Sequence, residues 1–163
     1  MILRKRSPII SRNYFDMSTR QIQKLLTDAI DAFLHFDKEL LINDAHEQAI
    51  AHKIASYIEK DNARGYSVDC EYNKRAEDAK RWHGKIFRPD IIVHKRGRNG
   101  RGDNLLVVEI KKDKICKSNI ARLKFMTNPY NNAFGYELGC FLYFKNGIPQ
   151  YTWIGGGKVQ AEI

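Results

Sequence analysis

Hydrophobic positions change their period along the chain. From Ser18 onward, Ile22, Leu25, Leu26, Ala29, Ile30, Phe33 and Leu34 recur at helical spacing. Ser18 with Gln21 three residues on is the pattern of a capping box, so a helix is predicted to start there. A second helix is expected over residues 43–60, with Ile50, Ile54, Tyr57 and Ile58 as its apolar stripe. After Gly65 the period falls to two. In residues 66–73, Val68, Cys70 and Tyr72 are expected on one face and Asp69 and Glu71 on the other. A polar, basic stretch with Trp82 and His83 leads to a second strand over 87–94, with Pro89 near its start. The Gly- and Arg-rich residues 95–103 read as a hairpin loop. A third strand follows over 104–112. Its run Leu105, Leu106, Val107, Val108 is apolar without alternation, which predicts cover on both faces.

A third helix starts after Ser118, turns Ile120, Leu123 and Met126 inward and breaks at Pro129. Asn128 and Pro129 suit the cap and first position of a further short helix, to about Phe134. Two strands, 137–144 and 148–154, flank the hairpin signal Asn146-Gly147, and Gly155 to Gly157 end the compact part. The order predicts one α/β domain with a central mixed sheet flanked by helices. Residues 1–17 form a basic arm, with Arg4, Lys5, Arg6 and Arg12 around Pro8, and residues 18–163 form the domain. The arm reads equally as a loose terminus or as a strap along a phosphate backbone.

Composition narrows the function. Lys and Arg number 28 against 19 Asp and Glu, a formal net charge of +9. Such an excess favours a polyanionic partner, nucleic acid or an anionic surface. No apolar run approaches a membrane span, and the basic N-terminus lacks the apolar core of a secretory signal. Three scattered cysteines, Cys70, Cys116 and Cys140, fit a reduced intracellular setting rather than disulfides or a zinc cage. No phosphate-binding glycine motif is present.

The chemistry concentrates in Asp90, Glu109 and Lys111. Glu109 and Lys111 leave one face of the apolar third strand, where charges need compensation. A hairpin between the second and third strands brings Asp90 to the same end of the sheet as Glu109. Two carboxylates with a lysine suit Mg²⁺, which takes hard oxygen ligands and lowers the pKa of bound water. The lysine can orient that water and oppose transition-state charge. Such a site hydrolyses phosphodiesters. Glu47 lies near the inward face of the second helix. Its spacing from Asp44 also allows a mere capping role.

Pro89-Asp90 followed by Glu109-Ile110-Lys111 after a hydrophobic strand resembles the PD-(D/E)xK nuclease superfamily. The likeness spans about residues 43–144. It implies a restriction-endonuclease-like core in the order αβββαβ, here with an extra N-terminal helix. It also implies that Asp90, Glu109 and the Ile110 carbonyl bind metal, Mg²⁺ or alternatively Mn²⁺, and that Lys111 is the catalytic lysine. Glu47 matches the glutamate that many members carry on the helix before the first strand to support metal or water, which adds it to the catalytic and metal-binding candidates. Glu71 is a further candidate ligand, with an ion pair to Arg88 as the alternative. His46 matches the helix histidine of viral cap-snatching endonucleases or is simply exposed.

The function expected is a metal-dependent endonuclease, on DNA ahead of RNA. The alternative is a non-catalytic nucleic-acid-binding subunit of the same fold. Arg88, Lys112, Lys117, Arg98 and Arg101 are candidate nucleic-acid contacts. Lys117, Arg122, Lys124 and Asn128 could line a phosphate track, and a homodimer or partner subunit is compatible with the small size. Tyr130, Tyr136, Tyr143, Tyr151 and Trp153 read as core or sheet-face aromatics rather than base-stacking platforms.

Overall fold

A computed structural model describes residues 17–61, 65–75, 78–98, 100, 102–131 and 134–161. Nearly all of the basic arm, and Arg101, lie outside the described residues. Helix α1 (Thr19–Phe36) starts as the sequence predicts. The Ser18 hydroxyl accepts from the Gln21 amide and the Gln21 side chain accepts from the Ser18 amide. Ile22, Leu26, Ala29, Ile30 and Phe33 are its buried stripe. A short helix α2 (Glu39–Ile42) leads to α3 (Glu47–Asp61). Thus the second helix starts four residues later than its apolar pattern suggests. Asp44 stands in the left-handed region at φ 53° and cannot continue a helix backwards.

Among the described residues, six strands lie side by side in the main sheet. They are β1 (Ser67–Cys70), β6 (Ile91–His94), β7 (Asn104–Lys111), β8 (Leu138–Lys145), β9 (Ile148–Gly155) and β10 (Lys158–Val159). Strands β1, β6 and β7 are antiparallel neighbours, whereas β7 and β8 are parallel and joined through α4 (Lys117–Met126). The sheet is therefore mixed, as expected. The segment between β1 and β6 holds two small ribbons. In one, β2 (Lys74–Arg75) pairs with β3 (Asp78–Ala79); in the other, β4 (Arg81–Trp82) pairs with β5 (Lys85–Ile86). Asn146 and Gly147, at φ 52° and 76°, form the β8–β9 turn. The three glycines from Gly155 do not end the fold; they turn the chain into β10. A 3₁₀ turn (Pro129–Asn131) stands where a short helix was expected, its Tyr130 amide held by the Asn128 side chain.

Strand β7 is buried along its length except at Lys111, because helices cover both faces of the sheet. Helices α1 and α3 pack on one face against Ile91, Val93, Leu106, Val108 and Ile110. Helix α4 packs on the other against Ile92, Val107 and Phe141. The expected common face for Val68, Cys70 and Tyr72 fails at Tyr72, which joins the α4-side cluster. Glu71 lies between, at φ 50°, and its left-handed conformation ends the alternation. Among the described residues no helix is long and apolar enough to cross a membrane.

Candidate active site

Beyond the last β6–β7 pair, Ile91 with Val108, the register brings Asp90 beside Glu109. Asp90 caps the open ladder: its Oδ2 accepts from the Ile110 amide at 2.6 Å. The N–H and C=O of a strand residue leave toward the same neighbour, so the Ile110 carbonyl also faces this edge. Asp90 borders a pocket of ≈240 Å³ shared with Gln48, Ala51, Cys70 and Glu71. Burial pushes the Asp90 carboxyl up, while the Ile110 amide and the Lys111 charge pull it down.

Glu109 is 2% exposed. Arg122 grips both of its oxygens, Nε to Oε1 at 3.0 Å and Nη2 to Oε2 at 2.6 Å, and Asn119 donates to Oε2 at 3.2 Å. Burial pushes the Glu109 carboxyl up to about 8, the Asp90 charge adds to that, and Arg122 opposes it. The sequence offers Arg122 to a phosphate track, whereas the structure turns it onto Glu109. The signal was present in the spacing. Asn119, Arg122, Leu123 and Met126 share one helical stripe, and Leu123 and Met126 are core.

Lys111, half-buried at the end of β7, donates from Nζ to Glu47 Oε2 at 2.6 Å. Burial depresses its pKa, but the Glu47 bond and the charges of Glu47 and Asp90 outweigh that and hold it above the usual lysine value. Glu47 is the first residue of α3 and also accepts from the Lys112 amide at 3.3 Å. Its carboxylate thus turns to β7. The capping alternative fails because Asp44 is bound by Lys112 Nζ at 2.5 Å. The helix start is instead capped by His46, whose Nδ1 accepts from the Gln48 amide at 3.3 Å. Glu71 accepts from Gln48 Nε2 at 2.6 Å, and among the described residues it has no ion pair with Arg88.

Asp90, Glu109, Ile110, Lys111 and Glu47 therefore gather at one end of the sheet, with Lys112 adjoining them. Lys117 is exposed at the start of α4 and Arg88 is exposed two residues before Asp90. Arg98 is not near. It lies in the β6–β7 loop, at the opposite end of the hairpin and roughly 17 Å away at strand rise. Lys124 is exposed, and Tyr130 is 92% exposed rather than core. Tyr136 is buried, and Tyr151 and Trp153 stack face to face at 5.7 Å against the α1 side.

Among the described residues no group of three or more His, Cys, Asp or Glu forms a ready metal cage. The donor set that remains, Asp90, Glu109 and the Ile110 carbonyl, is all hard oxygen. It suits a cation that takes one or two carboxylates and keeps its waters. Both carboxyls are raised by burial, so a positive ion beside them would relieve both.

No family model matches the chain, and no curated protein is similar to it. Among solved structures, the crystal structure of SSO0001 is similar at 20% identity and a TM-score of 0.34. The alignment covers 82% of this chain, which spans 66% of the length of that one.

Proposed function

We propose that this chain is a metal-dependent nuclease of the PD-(D/E)xK superfamily with a restriction-endonuclease-like core, hydrolysing phosphodiesters of nucleic acid, DNA ahead of RNA. The observation that carries the proposal is the meeting of Asp90, Glu109, the Ile110 main chain and Lys111 at one sheet end. The succession α3, β1, β6, β7, α4, β8 supports it, being the αβββαβ order of that core.

Asp90, Glu109 and the Ile110 carbonyl would hold Mg²⁺, with Mn²⁺ as the alternative. Bound there, the ion supplies charge neutralisation at the phosphoryl oxygens and a more acidic water. The chain's own residues do the rest. Asp90 is fixed by the Ile110 amide, so its free oxygen keeps one direction. Glu47 holds the Lys111 ammonium, which is positively charged and three-donor, where it can orient a water or a phosphate oxygen. Lys117 and Arg88 stand exposed on the approach and can steer a polyanion.

A second reading, a non-catalytic nucleic-acid-binding subunit, is favoured by one observation: both Glu109 oxygens are already occupied by Arg122. A single assay separates the two. Supercoiled plasmid, single-stranded DNA, a branched junction and RNA are incubated with Mg²⁺, Mn²⁺ or EDTA. Metal-dependent cutting that falls about 10²- to 10⁴-fold in Lys111→Ala and is lost in Asp90→Ala supports the nuclease. Retained binding without any cutting favours the subunit.

A further inference from the structure

We propose that Arg122 is the resident cation of the Glu109 carboxylate. It holds that carboxylate in the free protein, competes there with a divalent ion, and passes to a phosphate group when nucleic acid arrives. This rests on the nuclease reading above.

The first argument is geometric. The guanidinium addresses both oxygens of a carboxylate that is almost wholly buried, and its Cζ lies 5.2 Å from the centre of the Phe87 ring. A planar fork of this kind fits a phosphate as well as a carboxylate, so one partner can replace the other. Helix α4 is also anchored by packing apart from the pair. Leu123 and Met126 are fully buried beside it, and Thr127 is 2% exposed.

The second argument is charge. With all three carboxyls ionised, as a divalent ion beside them would require, Glu47, Asp90 and Glu109 against Lys111 and Arg122 leave the site with one net negative charge. A divalent ion would make it positive by one, and one phosphodiester would then bring it to neutrality. Without Arg122 the set carries two negative charges. It would take a divalent ion more readily and a nucleic acid less readily. Loss of the charge alone predicts both shifts, so the charge-keeping Arg122→Lys is what separates the fork from the charge.

The test measures Mn²⁺ binding to the full chain without nucleic acid, by electron paramagnetic resonance of the free ion. Binding of a short duplex is measured in parallel with Ca²⁺. Arg122→Gln is expected to bind Mn²⁺ about tenfold tighter than wild type and the duplex about tenfold more weakly. Arg122→Lys keeps the charge but loses the fork. It is expected to tighten Mn²⁺ by a smaller factor and to weaken the duplex, though by less than Arg122→Gln does. It carries the test if the glutamine variant does not fold. Unchanged or weaker Mn²⁺ binding in the folded variants overturns the inference, as does unchanged duplex affinity in Arg122→Gln. Wild-type cleavage with no Mn²⁺ shift would leave the nuclease reading standing and remove only the role of Arg122. Both shifts without cleavage of any substrate would do the reverse.

Discussion

A glutamate that is 2% exposed beside a second carboxylate invites protonation, and Glu109 is held up to about 8 for that reason, burial first and Asp90 next. Its ordinary value is 4.5, so the folded protein binds a proton that the unfolded chain releases between about 4.5 and 8. Stability attributable to this group is therefore present at low pH and declines as pH rises through that window. Glu109→Gln, which does not titrate, is expected to gain melting temperature relative to wild type between pH 5 and pH 8.5. A difference that stays flat or moves the other way would show the Arg122 pair outweighing burial. Lys111 gives a second prediction. Among the described residues Glu47 is the side chain that bonds the Lys111 ammonium, so if the chain is the proposed nuclease, Glu47→Gln lowers cleavage through kcat with little change in substrate KM. Equal losses in affinity would mean that Glu47 shapes the surface rather than the lysine. The meeting of Asp90, Glu109 and Lys111 at one sheet end was legible in the sequence, because charges flanking apolar strands are conspicuous and a hairpin joins those strands. Arg122 was not, because a basic residue on a helix reads as solvated until its stripe is seen to be the core stripe.

At the scale of elements, an ion cluster ties β1 to the far end of β6, the strand that Asp90 precedes. Asp69 of β1 accepts from Arg96 at 2.8 and 2.5 Å and meets His94 Nε2 at 2.8 Å, with His94 4% exposed. The Arg96 bond holds the Asp69 carboxyl below its ordinary value, and burial holds His94 below its own. Both shifts act in one direction. A depressed aspartate contributes stability above its unfolded value of 3.8 that is lost as pH falls through the folded pKa. A depressed histidine contributes stability above 6.5 that is lost as pH falls below it. Asp69→Asn is expected to cost about 2 kcal/mol near neutrality, or roughly 4–8 °C of melting temperature. The penalty should persist down to about pH 4 and shrink only as pH falls further, as thermal scans over about pH 2–8 would show. A constant penalty would point to lost packing. The alternation rule placed β1 and foresaw Asp69 opposite Val68. It could not foresee the left-handed Glu71 that turns Tyr72 to the other face, because a non-glycine residue gives no local warning of such a conformation. The ribbons β2 to β5 were equally hidden, since two-residue pairings carry no period.

The whole molecule carries a formal net charge of +9. Residues 1–16 hold four basic residues and one acidic one, so removing them lowers the net charge to +6. The α/β order was readable because long apolar runs and one strong hairpin turn fix the sheet. The reach of its charges was not, since the β6–β7 loop carries Arg98 to the end opposite Asp90. A nucleic acid that touches both ends must therefore cross the sheet edge rather than sit in the site alone. Counterion release makes this measurable. The slope of log affinity against log salt falls by about one for each phosphate contact removed. If the arm straps the backbone, a chain lacking residues 1–16 should lose about two to four units of slope on duplex DNA in Ca²⁺, while Asp90→Asn should lose none. Arg98→Ala should remove about one unit only if the duplex spans the hairpin. An unchanged slope in the shortened chain would make the arm a bystander and assign nucleic-acid binding to the folded domain, where Lys117 and Arg88 become the residues to change next.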